Sequence, residues 1–143
     1  MMHGSEKGEP IVRIAVIEND LGLRRMLSTL LADEGFSVAE WPTGAGALAV
    51  IRRERPDVVL LDLRLEEART GLVVLEAIRD DPQTRETAVI ICSGDIHFLR
   101  EQGAMLRAQR CGIIEKPFDI AELLALIHLS AGMRPAIDRI ACA

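Results

Sequence analysis

The chain has 143 residues, 49% of them hydrophobic, which suits one domain with a buried core. Its 17 basic and 22 acidic residues give a net charge of −5, and no basic run exceeds pairs such as Arg24-Arg25 and Arg52-Arg53, which argues against a nucleic-acid or membrane-surface partner. Apolar stretches are short and interrupted, so none can span a bilayer, and the polar opening MMHGSEKGEP lacks the apolar centre of a signal peptide; a cytoplasmic protein with a disordered leader over 1–10 is expected.

Short apolar runs alternate with amphipathic stretches. The first run, near 11–17, reads as a strand and leads into Glu18-Asn19-Asp20, with Asp20 as N-cap of a helix whose apolar positions are Leu23, Met26, Leu27, Leu30 and Leu31. Gly35 stops that helix before a second strand near 36–40, which exits through Trp41-Pro42 over the core. Thr43 is the expected N-cap of the next helix (Leu48, Val50, Ile51), which Pro56 ends. A third strand near 57–61 closes on Asp62, and Leu72, Leu75 and Ile78 mark a helix stopped by Pro82. A fourth strand near 87–92 closes on Ser93, followed by a helix carrying Phe98, Leu99, Met105 and Leu106. The fifth, near 112–115, closes on Lys116, and Asp119 with Glu122 forms a near capping box for a last helix with Leu123, Leu124, Ile127 and His128. The strand runs are continuous rather than alternating, as in a parallel sheet buried on both faces. Five βα units with right-handed crossovers then give an α/β sheet between helix layers.

Ligands of such sheets bind outside the carboxyl ends of the strands, where Glu18, Asn19, Asp62, Ser93 and Lys116 all fall. An acid ending a buried strand needs a cation or donors, and Lys116 is the candidate partner of Asp62. Carboxylates, a hydroxyl and an amine at one edge suit a hard divalent cation and a phosphoryl group: Mg²⁺ takes oxygen ligands, and Asp62 can serve as nucleophile. Gly44-Ala45-Gly46 is a turn rather than a dinucleotide fingerprint. Cys92, Cys111 and Cys142 have no ligand spacing and read as reduced thiols, and His3, His97 and His128 are scattered without metal spacing.

Four segments, VIENDLGLRRML, DVVLLDLRL, VIICSGD and GIIEKPFDIAELLALI, resemble the receiver domain of two-component response regulators over roughly 11–131. The resemblance implies a flavodoxin-like, doubly wound five-stranded parallel sheet in the order 2-1-3-4-5 with five helices. It implies Asp62 as phosphoacceptor, Mg²⁺ held by Glu18, Asn19, Asp62 and the Arg64 backbone carbonyl, and Ser93 and Lys116 on the phosphoryl group. It also implies a cis bond between Lys116 and Pro117.

Four departures from the family pattern stand out. Asn19 replaces the second acid of the metal pair and brings no charge, so weaker Mg²⁺ binding is expected. The loop 64–70 after Asp62 is one residue longer than usual, and Arg64 and Arg69 in it read as solvated charges. Ile113 stands where many receivers carry a switching aromatic, and Gly94 follows Ser93 in place of the commoner alanine, leaving that loop freer.

The expected function is that of a stand-alone receiver without an output domain, the segment 132–143 being a short extension. It would take phosphate from a sensor histidine kinase or histidine phosphotransfer protein and signal by docking to a protein target. The family's output face, the fourth helix, fifth strand and fifth helix, would here include Arg100, Met105, Arg107, Arg110, Glu115 and Glu122, and would serve a homodimer as well. Its only catalysis would be self-catalysed transfer to and hydrolysis from Asp62. The alternative is a receiver-like adaptor in which Asn19 leaves phosphorylation weak or absent. A phosphatase-like hydrolase would want a general acid two residues after Asp62, where Arg64 cannot release a proton.

Overall fold

The computed structural model describes residues 10–132, so the leader apart from Pro10, the C-terminal extension apart from Gly132, His3 and Cys142 lie outside the described residues. Five strands, β1 (Arg13–Ile17), β2 (Ser37–Trp41), β3 (Val58–Asp62), β4 (Ala88–Ser93) and β5 (Cys111–Glu115), alternate with helices α1 (Leu21–Asp33), α2 (Ala47–Glu54), α3 (Thr70–Asp80), α4 (Ile96–Ala108) and α5 (Ile120–Gly132). All strand pairs are parallel, in the order β2-β1-β3-β4-β5. Order, class and helix count are those expected from the sequence.

The unbroken apolar runs follow from two cores. Side chains alternate along each strand: Ala15, Ile17, Val59, Leu61, Val89 and Ile91 pack with residues of α2, α3 and α4. Ile14, Val16, Val58, Leu60, Ile90, Cys92 and Ile114 pack with Leu27 and Leu31 of α1 and Leu123 and Ile127 of α5. Each strand therefore needs apolar residues on both faces. Trp41 leans on the first core, as its place at the exit of β2 suggested, and Cys92 and Cys111 are buried free thiols. His97 pairs with Glu101 on the surface, and the His128 ring lies 5.5 Å from Phe36.

Asp20 caps α1 as expected, accepting the Leu23 N–H at 3.0 Å, and Asp119 accepts the Ala121 N–H at 3.2 Å at the start of α5. Thr43 is not the cap of α2. That helix begins only at Ala47, after Gly46 in the left-handed region (φ 83°), and the Thr43 hydroxyl instead donates to the Ala45 carbonyl within the turn. The Gly44 and Ala45 N–H groups are taken by Glu66, a partner far in sequence. Asp95 caps α4 by accepting the Phe98 N–H at 3.0 Å.

Candidate functional site

Strand periodicity assembles the site. Glu18, Asp62 and Lys116 each lie two residues beyond a member of the α1/α5 core, namely Val16, Leu60 and Ile114. The ladder continues past the strand ends: the Glu18 N–H donates to the Trp41 carbonyl at 3.0 Å and the Lys116 N–H to the Ser93 carbonyl at 2.8 Å. Three charged side chains thus converge on one side of the sheet's carboxyl edge. Lys116 Nζ donates to Glu18 Oε1 at 3.0 Å and stands 3.3 Å from Asp62 Oδ1. The bond between Lys116 and Pro117 is cis, as the family resemblance implied.

Glu18 and Asp62 are 4% and 6% exposed, so two carboxylates share one ammonium in a nearly dry setting. Burial, with Glu18 alongside, pushes the Asp62 carboxyl up to about 6 in spite of Lys116. Burial works against the charged Lys116 amine too, but its bond to Glu18 and the charge of Asp62 prevail and raise it. The amine therefore stays protonated. The Asp20 N–H donates to Glu18 Oε2 at 3.0 Å, and Arg24 anchors the Glu18 carbonyl at 2.9 Å. Ser93, 4% exposed, accepts the Asp95 N–H on its Oγ at 2.9 Å and keeps its own proton to donate.

Asn19 is exposed at the rim beside Glu18. Among the described residues no three His, Cys, Asp or Glu side chains gather as a metal cluster, so a cation here would have two carboxylates and neutral oxygens. That donor set is all oxygen, and burial with Glu18 alongside makes Asp62 a weaker acid than usual, a setting that a cation would relieve. Both features fit a hard cation such as Mg²⁺.

The loop 64–70 holds what the sequence did not disclose. Arg64 is exposed, with its N–H 3.3 Å from Asp62 Oδ1. Arg69 is exposed as well, yet its guanidinium also lies 3.9 Å over the Phe98 ring and 3.9 Å from Asp95 Oδ2. A Cβ at Gly71 would come within 2.3 Å of the Asp62 carbonyl oxygen, so the start of α3 can approach the phosphoacceptor backbone only as glycine. Gly94 has room, its nearest neighbour being Lys116 Cβ at 4.0 Å, and Ile113 is half-buried against the α2/α3/α4 core. Glycine at 71 was visible in the sequence, but the distant partners of Glu66 and Arg69 left no periodic trace.

Comparison with known proteins places the chain. The model of the response regulator receiver domain matches residues 14–128. Regulatory protein AtoC of Escherichia coli is 32% identical over 121 residues, 82% of this chain and 25% of AtoC. Regulatory protein VirG of Agrobacterium tumefaciens is 29% identical over 133 residues, 93% of this chain and 48% of VirG. The chain thus spans between a quarter and a half of these relatives. The solved receiver domain of NtrX from Brucella abortus superposes with a TM-score of 0.73 at 27% identity, covering 84% of this chain and 98% of that one. CheY4 of Vibrio cholerae shares the fold, with a TM-score of 0.74 at 24% identity over 85% of this chain and 99% of its own. Strand order, the carboxylate and lysine edge and the family match agree: the chain belongs to the receiver domains of two-component response regulators.

Proposed function

We propose that Asp62 accepts a phosphoryl group from a histidine kinase or a histidine phosphotransfer protein and that the phosphorylated domain docks to a protein target. The observation that carries this reading is Lys116 lying between Glu18 and Asp62, with the Ser93 hydroxyl at the same edge. An oxygen of Asp62 attacks phosphorus; the P–O bond forms as the P–N bond to the donor histidine breaks, and the imidazole leaves with the electron pair of that bond. Lys116 offsets the incoming charge, and the Ser93 hydroxyl donates to a phosphoryl oxygen. Glu18, Asn19, Asp62 and the Arg64 carbonyl would hold Mg²⁺. When bound, the ion offsets charge on the phosphoryl oxygens.

Intact mass after incubation with acetyl phosphate tests the reading. One phosphoryl group should be gained, dependent on Mg²⁺ and lost in Asp62→Asn. A folded protein that gains no mass at high Mg²⁺ would favour the second reading, a receiver-like adaptor governed by protein contacts. One observation favours that second reading: the exposed, uncharged Asn19 in the acidic pair.

A further inference from the structure

The loop between Asp62 and α3 closes on the backbone of Leu63, next to the phosphoacceptor. The Gly71 N–H donates to the Leu63 carbonyl at 2.9 Å, Leu65 is buried in the core, and the Glu67 N–H donates to the Thr70 hydroxyl at 3.0 Å. It is a closed, internally bonded bridge rather than a slack connection.

From this bridge two side chains grip neighbours on opposite sides. Glu66 accepts the Gly44 and Ala45 N–H groups at 2.7 and 2.9 Å, and these donors, Ala45 foremost, hold its carboxyl below the usual range. The turn so held carries Trp41, whose Nε1 donates to the Ala45 carbonyl at 2.7 Å and whose ring would lie 2.8 Å from a Cβ at Gly46. On the other side Arg69 lies over Phe98 and faces Asp95 Oδ2, while the Asp95 N–H donates to the Ser93 hydroxyl oxygen. Ser93, the start of α4, the loop and Trp41 thus form one chain of contacts.

We propose that this loop is a strap coupling the start of α4 to the β2–α2 turn, so that phosphorylation of Asp62 alters the surroundings of Trp41. The inference rests on Asp62 being the phosphoacceptor. Its physical basis is local. When the Ser93 side chain moves to bring its hydroxyl onto a phosphoryl oxygen, the Asp95 N–H bonded to its Oγ moves with it, and Asp95 carries Arg69 along. The new anion also draws the Arg64 N–H, now 3.3 Å from Asp62 Oδ1. Both displacements enter the strap, and Glu66 passes them to the turn. A shorter path runs from the Glu18 N–H to the Trp41 carbonyl, so a test must separate the two.

Trp41 is the one tryptophan in the chain, so its emission is an unambiguous reporter. Emission and intact mass would be followed together on addition of acetyl phosphate and Mg²⁺, in the parent protein, Glu66→Ala and Arg69→Gln. The parent should gain one phosphoryl group and show an emission shift, and both variants should gain the same mass while losing most of that shift. A mass gain without a shift in the parent overturns the strap, as does a shift of full size in both variants, which would assign it to the Glu18 path. No mass gain in the parent would instead defeat the phosphoacceptor reading and the strap with it.

Discussion

The two ends of the sheet treat buried charge in opposite ways. At the amino end, Arg79 donates to the carbonyls of Gln109, Arg85 and Thr87 at 2.9, 3.1 and 2.7 Å, and Arg13 to those of Glu54 and Arg55 at 3.1 and 2.6 Å. These cations close loop ends by satisfying backbone oxygens, and nothing about them is left poised. At the carboxyl end, Glu18 and Asp62 divide a single amine, and the acidity of Asp62 moves toward neutrality. Saturated charge holds the fold there, whereas undersupplied charge leaves room for an incoming cation and phosphoryl group.

Removing one cation from each end should produce different kinds of failure. Lys116→Met strips the carboxyl end of its counter-charge, pushes the Asp62 carboxyl further up and removes a donor to the phosphoryl group. Loss of one such charged group costs about a hundredfold in the rate of mass gain from acetyl phosphate. The same rate should barely change in Arg79→Met. That variant strands three carbonyls and is expected to lose about 2 kcal/mol of stability in urea titration. If Arg79→Met impaired phosphoryl uptake as severely as Lys116→Met, the division between the two ends would fail.

Acidity sharpens the comparison. Because the folded-state value of Asp62 is raised from 3.8 to about 6, the folded protein binds more protons than the unfolded chain between these values. Its contribution to stability is therefore most favourable at low pH and is lost as pH rises through about 6. Relative to Asp62→Asn, which cannot titrate, the parent protein should be less stable at pH 7, with the gap narrowing on acidification. Phosphoryl uptake runs the other way, since the nucleophile is the carboxylate, and about a tenfold lower rate is expected one pH unit below its midpoint. A stability gap constant from pH 5 to pH 7 would show that Asp62 is not undersupplied with positive charge.

Much of this was legible in the sequence because it rests on short-range regularities. Period-two alternation in β1, β3 and β5 explains why Glu18, Asp62 and Lys116 converge, and the runs that contain them are unmistakable strands. Thr43 misled because a good capping residue was read without its competitor. The donors of the turn after β2 were already satisfied by Glu66, which lies 22 residues from Gly44, and no local rule signals such a partner. Arg69 is exposed, as loop charges usually are, but the Phe98 ring beneath it comes from a different βα unit and had no local signal. Local chemistry located the site, whereas the strap around it depends on contacts between loops of different units.

A separate effect concerns the metal-binding pair. Against a doubly charged cation, a missing charge at 4 Å would matter by about 8 kcal/mol at an effective dielectric near 20, but only about 2 kcal/mol in water. Glu18 is buried and held by Lys116 and the Asp20 N–H, while Asn19 sits exposed at the rim, so the aqueous figure is the relevant one for position 19. Asn19→Asp should therefore tighten Mg²⁺ binding by only about thirtyfold, followed through the Mg²⁺ dependence of phosphoryl uptake. A gain of four orders of magnitude would mean that position 19 is dry when the cation binds, and that the carboxyl end is short of charge over a wider area than Glu18, Asp62 and Lys116 define.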